Sequence, residues 1–558
     1  MSESKDTDDA EYDSRLQDRL QLLIEKYKDG KIEIAEGLQV NESLKAVRIL
    51  PSGLFDLDTV DGLVRAMALG AEQLHFREET RQIASLSEIQ NGYFTFIERQ
   101  FGDMFKEMMK HEISPHDIAL DVSRNSQMVK EISGALPDFI SYVTDFWENT
   151  ADIAHIHIED MTNALKGVYG GDLFPVHNQN IGSKCGIYMD TIVLPDPFIR
   201  SKAAFENWKP EDQAYYFVKH GLNILQYKDL ACADVSPPII AVVPDYSVVE
   251  DGELEFIQRI GSEDVLIHSS KIFGKEFESF DELVSYTDTF DTKDKLLAAV
   301  SDGSRVLFET SWGDLDGQIT QALQDETVAF HGPLNPGTLV VSHAVGRMCA
   351  SNELLIKSAR LGGTPIIEVP TSWKYLNWKM EYDAERRSRE LNIKDLHILK
   401  GLQGLAESDM EWIGNIPPDA LIELRKTGAL QEIRNTLSGG LDSLIQSNPE
   451  NYFRSKDQIF ENIQGAFSDH RKKIDKLREK NWKFAGTDIG SWFVVGSLAV
   501  TAAATGVPIW GIAAVVADQL LDAPKLKSIP NSVKSLAQES RALNKSPVGL
   551  LYHCRNRK

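Results

Sequence analysis

Four cysteines serve 558 residues, Cys185, Cys232, Cys349 and Cys554, and no two of them form a CxxC pair. That scarcity excludes a disulfide framework and a zinc ribbon, and it reads as free thiols in a reducing compartment. Phosphate-binding and hydrolytic signatures are missing too. There is no GxxxxGK[ST], no GxGxxG after a strand, no HExxH and no GxSxG. ATP-driven, dinucleotide-binding, zincin and α/β-hydrolase readings lose their support. Positive charge is also short, with 59 Lys and Arg against 84 Asp and Glu, a formal net charge of −25. A surface that negative repels phosphate backbones, so global nucleic-acid binding is disfavoured. Residues 1–13 are acidic and polar, without a basic n-region or an apolar h-region. They predict a short disordered tail and no secretory signal.

Hydrophobic residues make up 42% of the chain and charged residues 26%, which places it among globular proteins of two to four domains. Residues 14–180 read as mainly helical. Phe94, Ile97, Phe101, Met104, Phe105 and Met108 recur at three- and four-residue steps and mark the core face of one helix. From 181 to 372 the texture changes to short β-branched runs ended by Pro, Gly or an acid. They are Gly186–Leu194, Ile239–Val243, Arg305–Glu309, Thr338–Ser342 and Thr364–Val369. Helical stretches lie between some of them, at Ala214–Tyr227 and Asn352–Leu361. The fold class expected is therefore an α/β central domain with a mostly parallel sheet, set within extensive helical regions. Residues 373–483 return to a helical, highly charged pattern, with a helix start at Ile416-Pro417-Pro418-Asp419.

One long apolar run stands out near the end. Ile489 to Ala517 gives 29 consecutive residues without a charge, rich in Gly, Ala and Val and broken at Gly506-Val507-Pro508. A kinked span and a hairpin of two short arms, within 484–523, are both open; each arm alone is short for crossing a bilayer. The flanks are basic. Residues 471–558 hold 15 Lys and Arg against 6 Asp and Glu, a net of +9, so the preceding 470 residues carry −34. Residues 524–558 form a basic tail. Cationic flanks on both sides favour the cytoplasmic leaflet, and a hairpin satisfies both flanks where a single span satisfies one. A buried Ala/Gly-rich hairpin inside an ordinary core is the competing reading.

Several acids stand at or just past strand ends, where parallel sheets bind ligands: Asp196, Asp245, Glu309 and Glu368, with Asp314 and Asp316 close behind Glu309. Converging carboxylates could hold Mg²⁺ and position a water for hydrolysis. On a strand, His155 and His157 would share one face and bridge a transition metal, with His177 and Cys185 as further ligands. His343 and Cys349 form the remaining nucleophile–base candidate.

Four stretches resemble a loose class of large, uncharacterised bacterial cytosolic proteins for which no activity is established. They are Tyr188-Met189-Asp190-Thr191-Ile192-Val193-Leu194-Pro195-Asp196-Pro197, Ile416 to Leu437, the Gly/Ala-rich run, and Ser546-Pro547-Val548-Gly549-Leu550-Leu551-Tyr552. The resemblance implies bacterial cytosolic origin and transfers no catalytic residue. The leading expectation is a cytoplasmic interaction or effector protein, peripheral to the inner membrane, whose C-terminal hairpin engages anionic lipid or a partner chain, another copy included. Membrane-acting effectors of bacterial antiphage defence share that layout by analogy. A Mg²⁺-dependent hydrolase or nuclease on the strand-end acids is the alternative, and a soluble scaffold subunit is the third.

Overall fold

The computed structural model describes residues 3–32, 38–172, 174–175, 180–250, 252–324, 335–385, 393–407, 410–447, 452–479, 483–484, 487–488, 542 and 546–555. The apolar run, most of the basic tail and His177 lie outside the described residues. The chain forms two compact units, Met1–Ile89 with Asp152–Asp160, and Gln90–Ala151 with Met161–Lys558.

In the first unit, α1 (Glu3–Lys28) packs on α2 (Gly62–Ile83). Leu16, Leu20 and Leu23 follow a three-four spacing and meet Val64, Ala68 and Ala71 of α2 in a small core. The acidic stretch expected as a disordered tail instead supplies the first turns of α1 from Glu3 onward. Asp61 caps α2 by accepting a hydrogen bond from the Val64 amide.

Helix α3 (Leu86–His111) and helix α4 (Ser126–Glu159) each run from one unit into the other. Of the periodic residues on α3, Phe94, Ile97, Phe101 and Met108 are buried, and Met104 and Phe105 are half-buried. Phe101 meets Phe139 of α4 and Phe198 and Phe217 in an aromatic cluster. Gly221 is required there, because a Cβ would stand 2.5 Å from the Phe101 ring.

The second unit carries a four-stranded, all-parallel sheet. Strand β1 (Lys166–Tyr169) is followed by α5 (Ile181–Gly186), β2 (Thr191–Pro195), α6 (Pro197–Arg200), α7 (Pro210–Leu225) and β3 (Ile240–Val243). Then come α8 (Glu253–Phe273), α9 (Pro336–Leu361), β4 (Thr364–Ile366), α10 (Pro370–Glu385) and α11 (Ile393–Glu407). Strand order is β3-β2-β1-β4, with Gly167 opposite Thr364 and Ile192 opposite Ile240. The chain moves outward from β1 to β3 and then crosses back to the far side of β1. Every residue of these four strands is buried, so no alternating pattern marks them in the sequence. A second core joins α8, α9 and α10 through Val265, Leu339, Met348 and Tyr375. The unit is completed by helices including α12 (Pro418–Lys426), α13 (Tyr452–Glu479) and α14 (Pro547–Arg555).

The helix-rich α/β class expected from the sequence is the class observed. Individual strands differ. Thr338–Ser342 lies inside α9, because Asn335 caps the helix and Pro336 takes its first position. Those two signals outweigh the β-branched composition. Arg305–Glu309 contributes no strand; a 3₁₀ turn, Gly303–Arg305, opens it. Gly186–Asp190 ends a helix and turns before β2 begins at Thr191. Strand β1 falls in a region expected to be helical.

Candidate functional site

Ligands of parallel sheets bind beyond the carboxyl ends of the strands, where the strand order reverses. Here that is the edge formed by β1 and β4 with their neighbours. Asp196 follows β2, Asp245 follows β3, Glu368 follows β4, and Gly170-Gly171-Asp172 follows β1. Gly171 has φ +77, a left-handed turn that favours glycine. Three of the four acids singled out in the sequence thus stand where the reading places them. Asp172 was missed together with β1.

Each of the three predicted acids has definite partners. Asp196 is buried and accepts from the Trp147 indole at 2.6 Å and from the Phe198 and Ile199 amides at 2.7 and 3.0 Å, capping α6. Burial pushes its pKa up, against the pull of those donors. Asp245 lies between Lys357, at 2.5 Å, and Arg200. Burial opposes its charge, yet Lys357 and then Arg200 outweigh it and hold the carboxyl below the usual range. Arg200 also reaches Glu353 at 3.0 Å, and Glu353 accepts from Ser247. Glu368 pairs with the buried Lys184 at 2.7 Å.

Glu309 is not at a strand end. It accepts from the Thr310 amide at 2.9 Å and from the Thr371 hydroxyl at 2.9 Å, beside the start of α10. Asp314 accepts from the Gly317 amide at a helix start, and Asp316 pairs with Lys293 at 2.7 Å on the surface.

This arrangement neutralises acids with cations from α5, α6 and α9, and a divalent ion would have to displace them. Among the described residues no group of three or more His, Cys, Asp and Glu could hold a metal ion. His155 and His157 stand on α4, not on a strand, so two-residue spacing turns them to opposite sides of a helix. His155 is buried, and the His157 Nε2 lies 2.9 Å from the Ala84 carbonyl. Cys185 is buried, which pushes its thiol up to about 12. His343 packs against Phe308 and Tyr375, whereas the Cys349 thiol faces the Ile257 carbonyl on α8. They share α9 but not a face. Burial takes His343 down to about 3 and Cys349 up to about 11, leaving a neutral imidazole and a protonated thiol at pH 7. Neither state suits nucleophilic catalysis.

The helices that precede and follow the apolar run in the chain, α13 and α14, pack against each other. Tyr552 of α14 meets Phe467 of α13 at 5.5 Å between ring centroids and His470 at 5.3 Å. Arg555 lies over Phe467 at 5.5 Å and reaches Gln464 at 3.3 Å. As α14 advances from 552 to 555, its contacts retreat along α13 from 470 to 464. The two helices are antiparallel, so the last turn of α13 and the first turn of α14 stand at the same end of the pair. Ser546 opens α14 by accepting from the Gly549 amide, with Pro547 in the first turn. Arg471, Lys472, Lys473 and Lys476 are exposed toward the end of α13. No helix among the described residues is long and apolar enough to cross a membrane.

No family model, no curated protein and no solved structure matches the chain.

Proposed function

We propose that the protein is an interaction or effector protein that acts through its C-terminal apolar run, Ile489–Ala517, placed as a hairpin into the face of an anionic membrane. The antiparallel clasp of α13 and α14 carries this reading. It brings the helix before the run and the helix after it to one end of the same pair. A chain that leaves and returns at one end fits a hairpin and does not fit a single span, whose flanks would be separated by about 30 Å of hydrocarbon. The exposed lysines and arginine of α13 precede the run in the chain, and each basic group near an anionic surface contributes about 1 kcal/mol of attraction. The metal-hydrolase alternative draws no comparable support, since Asp245 and Glu368 are bound to Lys and Arg and Asp196 to indole and amide donors.

The test is flotation of the full chain with vesicles of phosphatidylcholine alone and of phosphatidylcholine mixed with phosphatidylserine. Binding to the anionic vesicles only, weakened by salt, is expected. Val495→Asp together with Val515→Asp puts one carboxylate in each arm and should abolish it. Truncation at 483 is a poorer control, because it also removes α14 and uncovers Phe467. Equal flotation of the full chain and the double variant would refute the proposal.

A further inference from the structure

Helix α2 carries an apolar inner side and an uncharged outer stripe. Its inner side is the one that meets α1. Its outer side carries Ala66, Leu69, Gln73, Phe76, Thr80 and Ile83, spaced three and four residues apart over five consecutive steps, with no charge among them. Leu69 is 41% exposed, Phe76 56% and Ile83 71%; Ala66 and Gln73 are exposed as well, and Thr80 is buried. A surface helix ordinarily turns a polar side to water. On this side Leu69, Phe76 and Ile83 leave apolar surface to cover.

From this face we infer that the first unit pairs with a second copy of the chain, α2 alongside α2 in parallel. The charges beside the stripe decide both the partner and the direction. Glu72 precedes Gln73 on one flank, and Arg77 follows Phe76 on the other. In a parallel pair with this spacing, the residue on the first flank meets the residue five positions later on the partner helix, so Glu72 of each copy meets Arg77 of the other. An antiparallel pair sets Glu72 against Glu79 and loses that match. Both groups retain capacity for it. Glu72 uses Oε2 for Arg19, and Arg77 uses its two Nη atoms for Glu159 and Asp160, while a guanidinium has five N–H donors. The stripe from Ala66 to Ile83 is about 26 Å long at 1.5 Å per residue. This inference is independent of the membrane reading, since no residue of the C-terminal run enters it.

Sedimentation of the full chain over concentrations reaching on the order of tens of micromolar should show a monomer–dimer equilibrium. Leu69→Glu with Phe76→Glu, both at exposed positions, should weaken dimerisation at least tenfold while helical circular dichroism stays unchanged. Ala66→Cys gives a second readout that leaves folding alone. In the parallel pair the two substituted positions face each other within disulfide reach, and mild oxidation gives a covalent dimer absent from the unsubstituted chain. In an antiparallel pair they lie about 26 Å apart and do not link. A chain that stays monomeric, a dimer indifferent to the double substitution, or failure of Ala66→Cys to cross-link the dimer each overturns the proposal.

Discussion

The two units of this protein treat polarity in opposite ways. Of the fifteen large hydrophobic side chains left exposed among the described residues, eight lie in the first unit, the far smaller of the two. The second unit buries charge more extensively: Lys184, Lys357, Asp196, Asp245, Asp264 and Glu368 are all in its interior, against Lys26 in the first. A small helical unit has few faces with which to cover its apolar surface. A larger unit built on a parallel sheet has room to sequester ions, provided each is compensated. Surface chemistry in the first unit and fixed electrostatics in the second are therefore expected to respond differently to substitution.

The largest effect is expected from Asp245→Ala. It leaves Lys357 buried without its carboxylate and takes from Arg200 one of its carboxylate partners, and should cost about 3–5 kcal/mol of stability. All nine tryptophans lie outside the first unit, so their fluorescence in a denaturant titration reports the second unit alone. A cost below about 1 kcal/mol would show that the buried charges are not structurally committed. Asp196→Ala comes next. It removes the α6 cap and strands the Trp147 N–H, for an expected loss of about 2–4 kcal/mol in the same titration.

Acidification sharpens the comparison further. His268 is buried between the Tyr382 hydroxyl and the Arg305 carbonyl, and burial lowers its pKa to about 3. Its unfolded value is near 6.5, so the neutral form is the one the fold favours. The stability this contributes is complete above about pH 6.5 and is lost progressively as pH falls toward 3, at about 1.4 kcal/mol per pH unit. By pH 5 that amounts to about 2 kcal/mol. His268→Gln should flatten the slope of stability against pH by that amount between pH 6.5 and 5; an unchanged slope would mean that His268 is not the titrating group. The smallest effect belongs to the first unit. Phe76→Ser at the exposed stripe should change the stability of the isolated chain by no more than about 0.5 kcal/mol, followed by circular dichroism at high dilution.

Much of the frame is legible in the sequence, and what is not has physical reasons. Strands β2, β3 and β4 show as β-branched runs ended by Pro or an acid, and Asp196, Asp245 and Glu368 can be placed at their ends from that punctuation alone. Lys166-Gly167-Val168-Tyr169 escapes, because four residues including a glycine and a lysine carry no strand signature. Thr338–Ser342 misleads, although Asn335-Pro336 just ahead of it is a helix start that could have been weighed against the valines. His155-Ile156-His157 misleads for a related reason: a metal-like pair on a strand becomes two unrelated faces once 126–159 is one helix. Lys184, Arg200 and Lys357, the cations that neutralise the strand-end acids, come from helices up to 184 residues away in sequence, and no local pattern announces such a partnership. The clasp was not legible, because only the contacts of Tyr552 and Arg555 show which helix Pro547–Arg555 meets.

A hairpin leaves both flanks of the apolar run on one side of a bilayer, and a single span separates them. Lys476→Cys and Arg555→Cys, one on each flanking helix, can be probed one at a time on protein bound to sealed phosphatidylcholine–phosphatidylserine vesicles, using a membrane-impermeant maleimide added outside. Labelling of both sites from the outside is expected, with Val495→Asp/Val515→Asp protein failing to bind the vesicles at all. Protection of one site until detergent opens the vesicles would mean that the run crosses the bilayer, and the hairpin account would be wrong.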